Sequence, residues 1–194
     1  LVFAPNNEPA QPLGAKTLLV PDVAERINLV DHVEIVSAGD NLVASLQKTP
    51  QGWTVEQMNG YRADWSRLQS LLAALATAEV VEKKTNKPEY YARLGVEDIS
   101  SVDADSVLVK VAIQGQVSAV LLGYQAQGRS GQFVRMQGAA DSALIDRQID
   151  VSTIPLDWAD KRIIDINSPE VAEVEVIHPD GDRVLVTRFS ADQT

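Results

Sequence analysis

Residues 30–46 read VDHVEIVSAGDNLVASL. The period is two: Asp31, Val33 and Ile35 project to one side of an extended backbone, and His32, Glu34 and Val36 to the other, the pattern of a half-buried strand. Ser37 to Asn41 supplies turn residues, with Gly39 free to take positive φ, and Leu42, Ala44 and Leu46 alternate again on the return. The stretch is a β-hairpin. Pro50-Gln51-Gly52 turns the chain once more, Trp53 and Val55 extend a third short strand, and Asn59-Gly60 breaks it.

From Ala63 to Val81 the period changes to that of a helix. Trp65, Leu68, Leu72 and Leu75 recur at spacings of three and four, and Leu71 and Ala78 widen the stripe. Asp64 lies in the first turn, and Lys83, Lys84 and Lys87 follow the last, the charge order a helix dipole favours. Burying each leucine contributes about 1.5–3 kcal/mol, so the stripe must lie on something apolar, most simply the sheet face that carries Val33 and Ile35. Hairpin and helix together make a unit over 30–81.

Outward from this unit, the chain's 194 residues carry 45% hydrophobic and 23% charged side chains, enough to bury a core without disulfides or metals. Net charge is −10, which repels phosphate backbones and anionic lipid and argues against nucleic-acid binding. Cysteine is absent, so thiol catalysis, disulfides and cysteine metal sites are excluded. No run of apolar residues reaches the roughly 18–20 needed to cross a bilayer as a helix. The chain opens at Leu1 rather than methionine, which leads to the expectation that an N-terminal signal or anchor has been removed.

Residues 1–21, with Pro5, Pro9, Pro12 and Pro21, read as an extended lead-in, and 22–194 as one α+β domain. Leu18-Leu19-Val20 suits an edge strand and Asp22 to Asn28 a helical turn. Pro88 to Leu94 is a second helical turn closed by Gly95, followed by an acidic connector with Glu97, Asp98, Asp103 and Asp105. A β-meander over 106–147 comes next: Val107 to Ile113, a turn at Gln114-Gly115-Gln116, Val117 to Tyr124, a glycine-containing loop, Phe133 to Met136 and Ala143 to Asp146. Ile154-Pro155 precedes a turn at Asp157 and Trp158. A closing hairpin over 171–189 echoes the first one, Val174, Glu175 and Val176 standing for Val33, Glu34 and Ile35, with His178 to Asp182 as its turn. The expected architecture is therefore α+β, antiparallel hairpins and a meander packed by one long amphipathic helix.

The hairpin with Gly52-Trp53, the leucine-striped helix, Tyr91 to Gly95, Leu122-Gly123 followed by Phe133-Val134-Arg135, and Pro155 with Trp158-Ala159-Asp160 together resemble a bacterial family known as domain of unknown function 4340. The resemblance implies an N-terminal membrane anchor, an extracytoplasmic region, and association with ABC-type transport or gliding components. It supplies no catalytic residues.

Sites read from the residues are sparse. His32 and His178 are the only histidines and lie far apart, one within a strand and one in a turn, so zinc and a serine-histidine-aspartate triad lack support; Gly-x-Ser-x-Gly is absent. Gly123, Gly128 and Gly131 precede no Gly-Lys-Ser/Thr, so a phosphate cradle is disfavoured against a hairpin loop. The acidic connector lacks the ligand spacing of a calcium loop, and Pro179-Asp180-Gly181 is turn chemistry. The expectation is a periplasmic, non-enzymatic interaction domain with protein partners, ABC-type transporter components among them, no cofactor, no metal, and membrane contact only through the removed anchor. Two alternatives stand beside it: a carboxylate-dependent hydrolase using Asp157, Asp160 and Asp165 around Trp158, and a small-ligand or carbohydrate binder with a cleft lined by Tyr90, Tyr91 or Tyr124.

Overall fold

The computed structural model describes residues 17–128, 130–163 and 166–188; the rest of the lead-in, Asp165 and Phe189 lie outside them. In chain order, β1 (Thr17–Leu18) and α1 (Pro21–Arg26) precede the hairpin β2 (Val30–Ser37) and β3 (Asn41–Thr49), after which come β4 (Gly52–Val55) and β5 (Tyr61–Arg62). Then follow α2 (Trp65–Thr77), β6 (Glu79–Lys83), α3 (Tyr91–Leu94), β7 (Val107–Ile113), β8 (Gln116–Gln125), β9 (Gln132–Met136) and β10 (Ser142–Ile145). The closing hairpin is β11 (Glu173–Ile177) and β12 (Arg183–Thr187). The chain divides into two compact units after Asp160.

The first unit is one ten-stranded antiparallel sheet in the order β1-β6-β10-β9-β8-β7-β2-β3-β4-β5. Its register explains its two faces. Ala44, Ile35, Val109, Val120 and Met136 stand opposite one another across β3, β2, β7, β8 and β9, and this row shares a buried cluster with Leu68, Leu71, Leu72 and Leu75 of α2. The second face carries the row Val36, Leu108, Leu121, Arg135 and Ser142. Ile99, from the acidic connector, packs on the first three of these. Both outer strands are two residues long, and the β5 end is met by the Ala63–Ala159 bridge, so neither edge offers a long ladder to another chain.

This overturns the α+β expectation. The described residues are mostly antiparallel strand, and α2 is a 13-residue helix ending at Thr77, not a long one reaching Val81. Its end has a physical cause. Ala78 is already extended, the Glu79 N–H donates to the Asp146 carboxylate at 2.9 Å, and Asp146 N–H donates to Glu79 C=O at 3.0 Å. Arg147 donates to Thr77 Oγ1 and to both Asp146 oxygens. That knot, together with the β-branched Val80 and Val81, commits 79–83 to pairing with β10 and β1. Lys83 and Lys84 therefore sit on a strand and beyond it, Lys84 pairing with Glu82 at 2.8 Å, and neither serves a helix C-terminus. Trp65 is not part of the buried stripe; it is 51% exposed. Asp64 caps the helix, accepting from Arg67 N–H at 3.0 Å.

Other expected elements form where the pattern put them: the turn at Gly39 (φ +71), the helical turn closed by Gly95 (φ +65), the meander and the closing hairpin. The β11–β12 pair is its own two-stranded sheet in the second unit. Among the described residues no helix is long and apolar enough to cross a membrane.

Candidate functional site

The carboxylates around Trp158 are held apart in separate bonds. Trp158 is fully buried and its indole N–H donates to Ser152 C=O at 3.0 Å. Asp157 accepts from Ser152 Oγ at 2.7 Å, whereas Asp160 pairs with Arg62 at 3.6 Å and its N–H donates to Arg62 C=O. Asp165 lies outside the described residues. The nearby hollow, a cavity of about 440 Å³, is lined instead by Asp64, Arg67, Ser70, Gln148 and Asp150. Arg67 lies over the Trp158 ring at 5.9 Å, and its buried Nε has no hydrogen-bond partner among the described residues. Asp64 is committed to the helix cap, so this hollow sets one guanidinium among polar neighbours, Ser66, Ser70, Gln148 and Asp150.

His32 has company that its sequence position did not reveal. Its Nε2 is 2.8 Å from Ser45 Oγ and 3.9 Å from Glu56, and Ser45 donates to Glu56. The residues are those of a hydrolytic triad, but the arrangement is not. The same imidazole nitrogen faces both serine and acid, the serine hydroxyl donates its hydrogen bond to the acid and not to the imidazole, and Ser45 is 3% exposed within β3. His178 lies in the turn of the other unit, where its N–H donates to Asp182 C=O. Among the described residues no three His, Asp or Glu side chains gather to hold a metal.

The three tyrosines proposed for a ligand cleft are dispersed. Tyr91 is buried and its hydroxyl donates to Ala140 C=O at 2.6 Å. Tyr90 lies under Arg93 at 4.9 Å beside a cavity of about 290 Å³, and Tyr124 lines another of about 280 Å³. Tyr124 donates to Asp105, and that bond is the first cause of the raised phenol pKa, since ionising would remove the proton that makes it; burial and the nearby negative charges of Asp105 and Glu97 act in the same direction. In the acidic connector, Glu97 accepts from Asp105 N–H at 2.7 Å and Asp98 binds Arg135 at 2.6 Å. These acids are loop-forming groups.

The surface that sequence reasoning left aside is the second unit's hairpin. Val174 faces Val186 and Val176 faces Val184, so four valines share one side, whereas Glu175 and Arg183, 3.1 Å apart, stand on the other, where they interrupt Ile177 and Leu185, exposed at 59% and 58%. All four valines are exposed, between 44% and 60%. The signal was present in the alternation of 173–177 and 183–187, but alternation alone does not tell a buried face from an open one.

Comparison with known proteins places residues 53–194, from β4 through the closing hairpin, in a family described as Domain of unknown function (DUF4340). No curated protein and no solved structure matches the chain.

Proposed function

The chain belongs to the DUF4340 family, and from that premise we propose that it is a non-enzymatic accessory domain outside the cytoplasm, docking through its β11–β12 hairpin onto a component of a membrane transport complex of the ABC type. The observation that carries this reading is the open valine face. A two-stranded hairpin is marginally stable alone in water, and four half-exposed valines forgo about 1 kcal/mol each relative to full burial. A partner surface that covers them and pairs with an outer strand would supply both deficits. The ten-stranded sheet, by contrast, ends in two-residue strands and is poorly suited to edge pairing. The extracytoplasmic setting and the transport partner come from the family resemblance.

A photo-crosslinking residue at Val184, compared with one at Glu175 on the opposite face, tests the proposal in cells that express the full-length gene product. Crosslinks from Val184 to an integral-membrane transport subunit, with few from Glu175, support it. Equal yields at both positions, or a full-length product without anchor or export signal that fractionates with the cytosol, overturn it.

A further inference from the structure

Away from the hairpin, a second place in the first unit is shaped for a ligand. A cleft of about 330 Å³ opens between α2 and the β3–β4 pair, floored by Leu72 and flanked by Trp53 and Trp65, with Asn28, Lys48 and Gln69 at its rim. Three features set its chemistry. First, two indoles face one small hollow, and Trp65 leaves half its surface in water although a buried core lies beside it on the same helix. The two rings together offer apolar, π-rich surface to whatever enters the hollow. Second, the rim is polar and unspent. Lys48 Nζ donates to Asn28 C=O at 3.1 Å, which leaves further N–H groups, and the carboxamides of Asn28 and Gln69 have no intramolecular partner among the described residues. Third, no carboxylate lines the cleft, in a chain of net charge −10.

The backbone narrows the choice of ligand. Lys48 and Trp53 are directly opposed across β3 and β4; β3 pairs with β2 as far as Gln47 and β4 with β5 at Thr54 and Val55, so beside the cleft neither strand leaves more than two residues open, too short an edge for an extended peptide. The volume is at the lower end for small-molecule sites, which suits a compact ring with one apolar face and a hydroxylated periphery.

We propose that this cleft is a carbohydrate-binding site for a neutral sugar. The C–H face of a pyranose ring lies against the indoles of Trp53 and Trp65, and its hydroxyls bond to the carboxamides of Asn28 and Gln69 and to the Lys48 ammonium. None of the three tyrosines takes part. The site is independent of the valine face of the hairpin, so failure of either reading leaves the other standing.

The test is a titration of the full chain with cellobiose, maltose, lactose and N,N′-diacetylchitobiose, followed by tryptophan emission, with octanoate and a proline-rich peptide as competing chemistries. Trp158 is sealed in the core and provides an internal reference. At least one sugar is expected to saturate by about 10 mM, and Trp65→Ala to weaken it about tenfold. Gln69→Leu, which keeps the indoles, weakens it as well and retains the wild-type melting temperature because this side chain is exposed; Trp65→Ala, which removes a half-buried indole, lowers that temperature by a few degrees and keeps the cooperative transition. The proposal is overturned if no sugar saturates, if octanoate or the peptide binds and the sugars do not, or if Trp65→Ala leaves the sugar titration unchanged.

Discussion

Arg135→Leu probes the second face of the sheet. Arg135 is 3% exposed in a row with Val36, Leu108, Leu121 and Ser142, and its guanidinium is spent on the segment that crosses above it and on the turn after β9. Nε donates to Val96 C=O at 2.8 Å, one terminal nitrogen to Ala139 C=O at 3.0 Å and the other to Asp98 at 2.6 Å, and the group lies 4.3 Å from the centre of the Tyr91 ring. Asp98 is 70% exposed, so its ion pair contributes less than about 1 kcal/mol. The two carbonyls are different: stripped of their donor they cost about 1–3 kcal/mol each. Loss of the cation–ring contact adds about 1 kcal/mol, partly offset by leucine's apolar fit to the row. The expected destabilisation is about 3–5 kcal/mol for Arg135→Leu and under about 1 kcal/mol for Asp98→Asn. Urea unfolding of both variants measures this, and amide exchange over 96–101 should accelerate in Arg135→Leu before the rest of the sheet opens. If Asp98→Asn costs as much as Arg135→Leu, the ion pair and not the carbonyls holds the segment, and the reasoning is wrong.

Three further perturbations follow from the same packing. Leu72→Asp places a carboxylate in a position 4% exposed between helix and sheet and should abolish the cooperative melt; a transition within a few degrees of wild type would show that the stripe is not core. Gly123→Ala sets a methyl group 2.3 Å from Leu94 C=O and 2.7 Å from Gly95 C=O, so the turn after α3 must lift from β8, with a loss of about 2 kcal/mol in denaturant unfolding; an unchanged midpoint would refute the close approach. Asp146 is held to about 2, first by its bonds from Arg147 and then by the Glu79 N–H. Its folded pKa lies below the unfolded value near 3.9, so its contribution is complete above about pH 4 and is lost as pH falls toward 2. Screened by solvent, this is about 1 kcal/mol. Asp146→Asn should lower stability at neutral pH and flatten its decline between those limits, which acid titration of the urea midpoint would show.

Signals local to the chain were the legible ones. The hairpin alternation at Val33 and Ile35, the turn at Gly39 and the stop at Gly95 depend on neighbours a few residues away, and they led to elements that form. The fold class was misread because the leucine stripe is strong and contiguous, whereas the ten-stranded sheet depends on distant partners. Val36 meets Leu108 and Val80 meets Ile145 only through long-range register. β1, β5 and β6 are short or polar, and 79–83 looks like more helix until Asp146 and Arg147 are seen to bind its start. Site residues were harder still. Trp65 fell in the stripe by spacing but stands at its margin, and Asp157 and Asp160, adjacent to Trp158 in sequence, take partners at Ser152 and Arg62. Spacing along the chain gives the face of a side chain and leaves open what the fold sets against it.

The proposal that the hairpin is a partner surface and not core is tested most directly by Val176→Asp together with Val184→Asp in the full-length protein. Recovery of the membrane complex by co-purification is measured beside the thermal transition of the same preparation. With these valines 44% and 49% exposed, the transition should stay at the wild-type temperature and the complex should be lost. Wild-type recovery of the complex, or a main transition that falls with the substitutions, would contradict the account.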